Sequence, residues 1–299
     1  MTLLQAIILG IVQGLTEFIP VSSTAHLVFA SRAVELFGGV SEGLRAEQTT
    51  ATIAVLQLGT LLAVLIYFAS DIVRISRAFI VDHLAIITGR HRVASADGSD
   101  QRLSPDAWLG WLVIVGSIPV GVVGLLFKKQ IEGTFTKNLW VIATMMIVIA
   151  ILLAVAELVA RQKRSMEHLG LFDAIVVGSA QCLALIPGSS RSGTTIMAGL
   201  FAGEKRETAA RFSFLLSIPA VLASGLLELK KAIHILPHGS YGSLMVGTTV
   251  SAVVGYASIW FLLRYLRTHS TGVFIGYRLI VGSLILLALL TGNLSAAVK

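Results

Sequence analysis

Two stretches of this 299-residue chain place reactive side chains inside otherwise apolar runs. The first holds Gln13, Thr16, Glu17, Ser22, Ser23, Thr24 and His26; the second holds Gln181, Ser189, Ser190, Arg191, Ser192, Thr194 and Thr195. A carboxylate such as Glu17 can take a proton or hold a hard cation, and an imidazole such as His26 can pass protons on. The Arg191 guanidinium offers a planar fork of donors that matches phosphate oxygens. Gly193 lets the backbone approach a ligand, as does Gly188. Ser22 or Ser23, and Ser189 or Ser190, stand where they can cap helices, and a helix N-terminus attracts anions. Together these residues describe a cradle for a phosphate or diphosphate.

The elements that must position them are membrane helices. The chain is 55% hydrophobic and 13% charged, against roughly a quarter charged in ordinary soluble domains. Its mean hydropathy is +0.85. Six apolar segments, about 50–69, 107–127, 138–160, 208–229, 243–267 and 273–292, are long enough to cross a bilayer core of roughly 30 Å. The segments about 3–37 and 171–202 have short apolar arms around a polar, proline-containing centre, the pattern of a re-entrant hairpin. Inside a bilayer an ionisable group is costly and persists mainly where it functions. Elimination by depth then leaves Glu17 among the sixteen acids, His26 among the seven histidines, and Arg191 among the basic residues at the centre of a broken segment. Glu157, Asp173 and Glu228 lie near segment ends, within reach of the interface.

The two centres resemble each other. Gln13 through Pro20-Val21-Ser22-Ser23 aligns with Gln181 through Pro187-Gly188-Ser189-Ser190 with one single-residue gap, and three crossings follow each. The expected fold is an all-α polytopic membrane protein of six transmembrane helices plus two re-entrant hairpins. Within the single integral membrane domain 1–299, residues 1–164 and 165–299 form an inverted-topology repeat, which brings broken segments together near the midplane. Lys and Arg flank the apolar segments, and the modest positive-inside bias puts both termini outside. The net charge of +7 is explained this way, without nucleic acid. Cys182 is the only cysteine, which excludes an internal disulfide. The start of the chain lacks the basic n-region of a cleavable signal. The loops 70–106 and 161–170 share one side, the polar stretch 83–106 carrying no evident chemistry; Lys128, Lys129 and Lys137 lie on the other. Gly121, Gly124, Gly247 and Gly255 are expected to be close-packing surfaces.

The run Gln13-Gly14-Leu15-Thr16-Glu17-Phe18-Ile19-Pro20-Val21-Ser22-Ser23-Thr24-Ala25-His26 resembles the first signature of the undecaprenyl-diphosphatase (bacitracin-resistance) family. Pro187-Gly188-Ser189-Ser190-Arg191-Ser192-Gly193-Thr194-Thr195 is similar to the second, and the likeness extends from residue 4 to about 290. The resemblance implies a multi-pass protein of the bacterial inner membrane, its active site opening to the outer side. It implies hydrolysis of undecaprenyl diphosphate to the monophosphate, recycling the lipid carrier for peptidoglycan and conferring bacitracin resistance. The implied partners are the polyprenyl diphosphate and membrane lipid, with a homodimer left open. Arg191 would clamp the phosphates, Glu17 would hold Mg²⁺ or Ca²⁺ or act as base, and His26 would transfer protons. Ser23 would attack if the route is covalent and bind phosphate if water attacks. Gln13, Ser22, Thr24, Ser190, Ser192, Gly193 and Thr195 would line the substrate. Gln13 stands where the family has Glu or Gln, so a metal site of Gln13 and Glu17 would lean on Glu17. Ala25 stands where glycine is frequent.

Simpler readings stand beside these. Membrane serines and threonines often bond neighbouring backbone, and Gln13 and Gln181 could merely tie the hairpins together. A secondary transporter would also use inverted repeats, with Glu17 and His26 as a proton relay. A Ser–His intramembrane protease would leave Arg191 without a task.

Overall fold

The computed structural model describes residues 1–37, 39–89, 103–127 and 138–296. Most of the polar stretch 83–106, and Lys128, Lys129 and Lys137, lie outside the described residues. The α-helices are α1 (Leu3–Phe18), α2 (Ser23–Ala33), α3 (Glu42–Tyr67), α4 (Ala69–Ile87), α5 (Pro105–Leu126), α6 (Leu139–Val159), α7 (Leu171–Gln181), α8 (Arg191–Phe201), α9 (Arg206–Ile235), α10 (Tyr241–Leu266) and α11 (Gly272–Leu290). Six of them, α3, α5, α6, α9, α10 and α11, are long and apolar enough to cross a membrane. They match the six expected crossings. Outward-facing Leu125, Leu158, Leu226 and Leu287 are exposed, as a lipid-facing belt requires.

One element differs from expectation. The stretch after residue 69, expected as loop, is the 19-residue helix α4. Its charges recur every three or four residues, Asp71, Arg74 and Arg77 among them, which makes it amphipathic rather than spanning. Asp71 pairs with Arg211 of α9 and Arg74 with Asp106 of α5, so α4 is bound to the bundle by charge.

The two polar centres fold as helix–turn–helix units by the same rule. A residue before proline is pushed out of the helical region. Ile19, before Pro20, is extended (φ −67°, ψ 133°) and ends α1. Ile186, before Pro187, is extended likewise (φ −89°, ψ 121°) and ends the short 3₁₀ turn Cys182–Leu185 that continues α7. Each turn then reaches a serine with positive φ, Ser22 at 78° and Ser190 at 68°. These two are the N-caps of α2 and α8, and each helix runs for 11 residues. Of the alternatives open at each turn, the cap is therefore Ser22 and Ser190.

Packing between the units is reciprocal. The first helix of each unit lies on the second long crossing of the other half, α1 on α10 and α7 on α5. Both contacts are backbone-close: a Cβ on Gly10 would come within 2.4 Å of Gly247 O, and one on Gly178 within 2.2 Å of Gly116 O. Gly247 and Gly255 thus serve as close-packing surfaces, whereas no described residue comes within 4 Å of a Cβ built on Gly121 or Gly124. Phe18, next to Glu17, is buried edge-on against Phe214 of α9 with ring centroids 5.3 Å apart. This contact belongs to the largest apolar cluster and fixes the end of α1 that carries the carboxylate.

Candidate active site

Glu17 lies in the last turn of α1, 6% exposed, and collects four donors. Arg191, in the first turn of α8, donates from Nη2 to Oε1 at 2.7 Å. Ser23, in the first turn of α2, donates from Oγ to Oε2 at 2.9 Å. Gln13 Nε2, one turn back on α1, donates to Oε2 at 3.1 Å, and Gln57 Nε2 of α3 to Oε1 at 3.3 Å. Gln13 Nε2 also lies 3.4 Å from Thr60 Oγ1. One carboxylate therefore joins both polar centres.

Several donors and acceptors remain unused. Arg191 Nη1, Gln13 Oε1 and Ser189 Oγ are buried with no hydrogen-bond partner among the described residues, as are both side-chain polar atoms of Gln181. Leaving such groups buried costs roughly 1–3 kcal/mol each, so they point to a bound polar ligand or water. Gln13 binds within its own hairpin and to α3, and Gln181 binds nothing described, so neither glutamine ties the two hairpins together.

His26 is not beside Ser23 chemically. Its Nδ1 lies 2.7 Å from Ser22 O, an acceptor only, so Nδ1 carries the proton. Nε2 is then the acceptor and takes the proton of Tyr277 Oη, 2.5 Å away. The two rings also stack, with centroids 5.6 Å apart. The partner of Ser23 is Glu17.

The remaining candidates divide. Thr24 is exposed and lines a cavity of about 930 Å³ that reaches Pro187 at the second turn. The cavity has Arg32, Arg45 and Lys231 on its walls and apolar side chains such as Val28 and Ile53 between them. Ser22 and Ser190 are spent on caps, Ser190 Oγ accepting from Gly193 N at 3.2 Å and lying 3.1 Å from Ser192 Oγ. The Thr195 hydroxyl is turned inward, 2.7 Å from Arg191 O and 2.5 Å from Ser213 Oγ. Thr194 likewise bonds Arg191 O.

A family comparison matches this chain over residues 6–284 to the family described as Bacitracin resistance protein BacA. The chain belongs to that family. Among similar proteins is one named undecaprenyl-diphosphatase from Syntrophobacter fumaroxidans, 51% identical over 96% of this chain and 97% of its own length. Proteins of the same name from Mycolicibacterium gilvum and Chlorobium limicola are 48% and 46% identical, each over 99% of this chain and 100% of their own. This BacA-family chain is a multi-pass membrane protein.

Depth elimination also missed residues. Arg278 of α11 is fully buried, so the interior holds a second guanidinium beside Arg191. Gln57, Thr60 and Tyr277 lie in crossings read as uniformly apolar. A polar residue mid-span was the available signal for Gln57 and Thr60; Tyr277 gave none. The acids near segment ends are ion-paired: Glu157 with Arg206, Asp173 with Arg164 and Glu228 with Lys231.

Proposed function

We propose that this protein hydrolyses undecaprenyl diphosphate to undecaprenyl phosphate and inorganic phosphate, returning the carrier for cell-wall synthesis and contributing to bacitracin resistance. The observation that carries the reading is Glu17 shared between the Ser23 hydroxyl and the Arg191 guanidinium. With the terminal phosphoryl group at this junction, Arg191 Nη1 is the donor left for its oxygens, and it neutralises charge developing there. Ser23 Oγ attacks phosphorus while Glu17 Oε2 takes its proton. The phosphoanhydride bond breaks, and undecaprenyl phosphate leaves with the bridging oxygen. Water then attacks phosphorus, the bond from phosphorus to Ser23 Oγ breaks, Glu17 returns its proton to Oγ, and inorganic phosphate departs with the protons of the water. In the one-step alternative Glu17 activates the water directly and Ser23 binds phosphate. In both, His26 Nε2 is held by Tyr277 and serves protons at the periphery.

Gln13 and Glu17 fit a divalent cation sparingly. Among the described residues no three acidic, histidine or cysteine side chains converge as ligands. The buried, unpartnered Gln13 Oε1 beside one carboxylate nonetheless suits a hard cation whose other oxygens come from a diphosphate. When bound it would act as a Lewis acid on the phosphoryl oxygens.

The two units are read as re-entrant hairpins of an inverted repeat, supported by the matched turns at Pro20 and Pro187 and the reciprocal packing of α1 and α7. The 930 Å³ cavity then admits the substrate from the end carrying the first and last described residues, Ser295 being on its wall. By the positive-inside bias that end faces the outer side of the inner membrane. The test is phosphate release from undecaprenyl diphosphate by purified protein, with acid-quenched samples checked for phosphoserine. Intact diphosphate after prolonged incubation with folded protein would refute the reading.

A further inference from the structure

Arg278 is completely buried in α11, and among the described residues no carboxylate lies within ion-pair distance of it. A guanidinium removed from water without a counter-charge is costly and must be held by other acceptors. Its acceptors are five backbone carbonyls. Nε donates to Met146 O at 3.1 Å, and Nη2 lies 3.3 Å from Met145 O, both on α6. Nη2 also reaches Gly188 O at 3.0 Å and Ser189 O at 3.1 Å in the second turn. Nη1 reaches Pro20 O at 3.4 Å in the first.

Three of the contacted carbonyls lie one or two residues before the two positive-φ serines. Ser189 precedes Ser190 in sequence, and Pro20 is two residues before Ser22. Ser22 and Ser190 hold positive φ, which an L-residue with a side chain adopts only when its surroundings impose it. Arg278 hydrogen-bonds to backbone carbonyls of both turns. A Cβ on Gly193 would lie 3.4 Å from Arg278 Nη1 and 3.2 Å from Ser190 Cβ, so the first turn of α8 is fitted around the same clasp.

We infer that Arg278 is a positioning residue that imposes the positive-φ turns at Ser22 and Ser190, and so sets Ser23 and Arg191 against Glu17. The inference rests on the functional reading above and adds to it a residue the substrate cannot touch. The guanidinium spans three elements because its donors diverge in a plane. A lysine ammonium concentrates its donors at one point and reaches one turn only.

The test compares wild type, R278K, R278Q and the double variant R278K/S22G. Each is purified, and kcat, KM and inhibition by inorganic phosphate are expressed per folded molecule, alongside melting temperature. R278K should lose at least tenfold in kcat, and phosphate should inhibit it several-fold less well, at temperatures where it is fully folded. Glycine adopts positive φ without a clasp, so R278K/S22G should recover turnover relative to R278K. R278Q should show the R278K loss or more; if it does not fold, the lysine pair still decides. Wild-type kcat and phosphate inhibition in R278K, with only the melting temperature lowered, would make Arg278 a mere buttress and overturn the inference. A double variant no better than R278K would overturn it too. Absence of turnover in wild type would instead refute the phosphatase reading, and direct calorimetric binding of inorganic phosphate to wild type and R278K, equal in the two, would then overturn the role of Arg278 as well.

Discussion

Arg191 Nη2 and Glu17 Oε1 lie 2.7 Å apart across 174 residues of sequence, each in the first or last turn of a short helix broken at a proline. This ion pair leaves the other terminal nitrogen of Arg191 without a partner among the described residues. A purely structural pair would saturate both partners, because a stranded buried donor forfeits the gain from the bond. Glu17, by contrast, is saturated by four donors, so its charge is already compensated before any ligand arrives. The asymmetry points the arginine, rather than the carboxylate, at an anion.

Arg191→Lys is therefore expected to collapse turnover although the charge is kept. A lysine can satisfy Glu17 or the phosphate, not both in one plane. The expected loss in kcat is about a hundred- to a thousandfold, the scale for removing one aimed donor from a developing oxyanion. Melting temperature should change little, because Ser190 still caps α8. Near wild-type kcat would end the assignment of Arg191 as a phosphate clamp.

Glu17 and His26 should part company in mutagenesis. The Ser23 proton points to Glu17, so Glu17→Gln should cost about 10²–10⁴-fold in kcat, the range of a lost general base. His26→Asn keeps a donor for Ser22 O and loses only the acceptor that Tyr277 occupies. Its loss, and that of Tyr277→Phe, should stay below that of Glu17→Gln. A larger loss for His26→Asn, measured on folded protein, would return the base to histidine.

The cation proposed at Gln13 and Glu17, where it would displace donors now on the carboxylate, carries its own prediction. Excess EDTA should abolish turnover, and Mg²⁺ or Ca²⁺ should restore it with low apparent affinity, one carboxylate and one amide being a meagre donor set. Gln13→Glu should tighten the apparent affinity for the cation. Full turnover in EDTA would remove the cation from the site.

Much of this was legible before the structure because covalent geometry made it so. Pro20 and Pro187 disfavour helix at the residue before them and are followed by runs of serine, so both turns could be placed from sequence. Pro119 and Pro219, by contrast, are followed by apolar residues and sit inside α5 and α9. Membrane cost singled out Glu17, His26 and Arg191. The rest was hidden for physical reasons. Arg278 lies six residues into the helix α11 and looks like a residue that could snorkel to the interface. Only the fold shows it turned inward, onto carbonyls that come from α6 and both turns. Tyr277 is an ordinary membrane aromatic until α11 is laid against α2. Helix α4 was obscured because its charges read as loop, when they are ion-pair partners for α5 and α9.

Glu204 offers a prediction independent of the chemistry. It sits just before α9, fully buried, with neither carboxylate oxygen hydrogen-bonded among the described residues. Its Oε2 would stand 2.6 Å from a Cβ on Gly199, so it is pressed against the backbone of α8. Burial, and the nearby charge of Asp173, push its pKa from 4.5 to about 8, with Arg164 opposing. Below pH 4.5 the group is protonated in both folded and unfolded chains and adds no pH dependence. Between 4.5 and about 8 the unfolded chain is ionised while the folded one keeps its proton, so folding takes up a proton and stability falls as pH rises. Above about 8 the buried charge is carried in full. Glu204→Gln keeps the shape and removes the charge. Melting in detergent should then be nearly equal to wild type at pH 5 and higher than wild type at pH 9. The gap should correspond to about 2–4 °C for each kcal/mol recovered. Parallel melting curves for wild type and variant across that range would show that Glu204 is ionised in the folded protein throughout, its charge answered by Arg164.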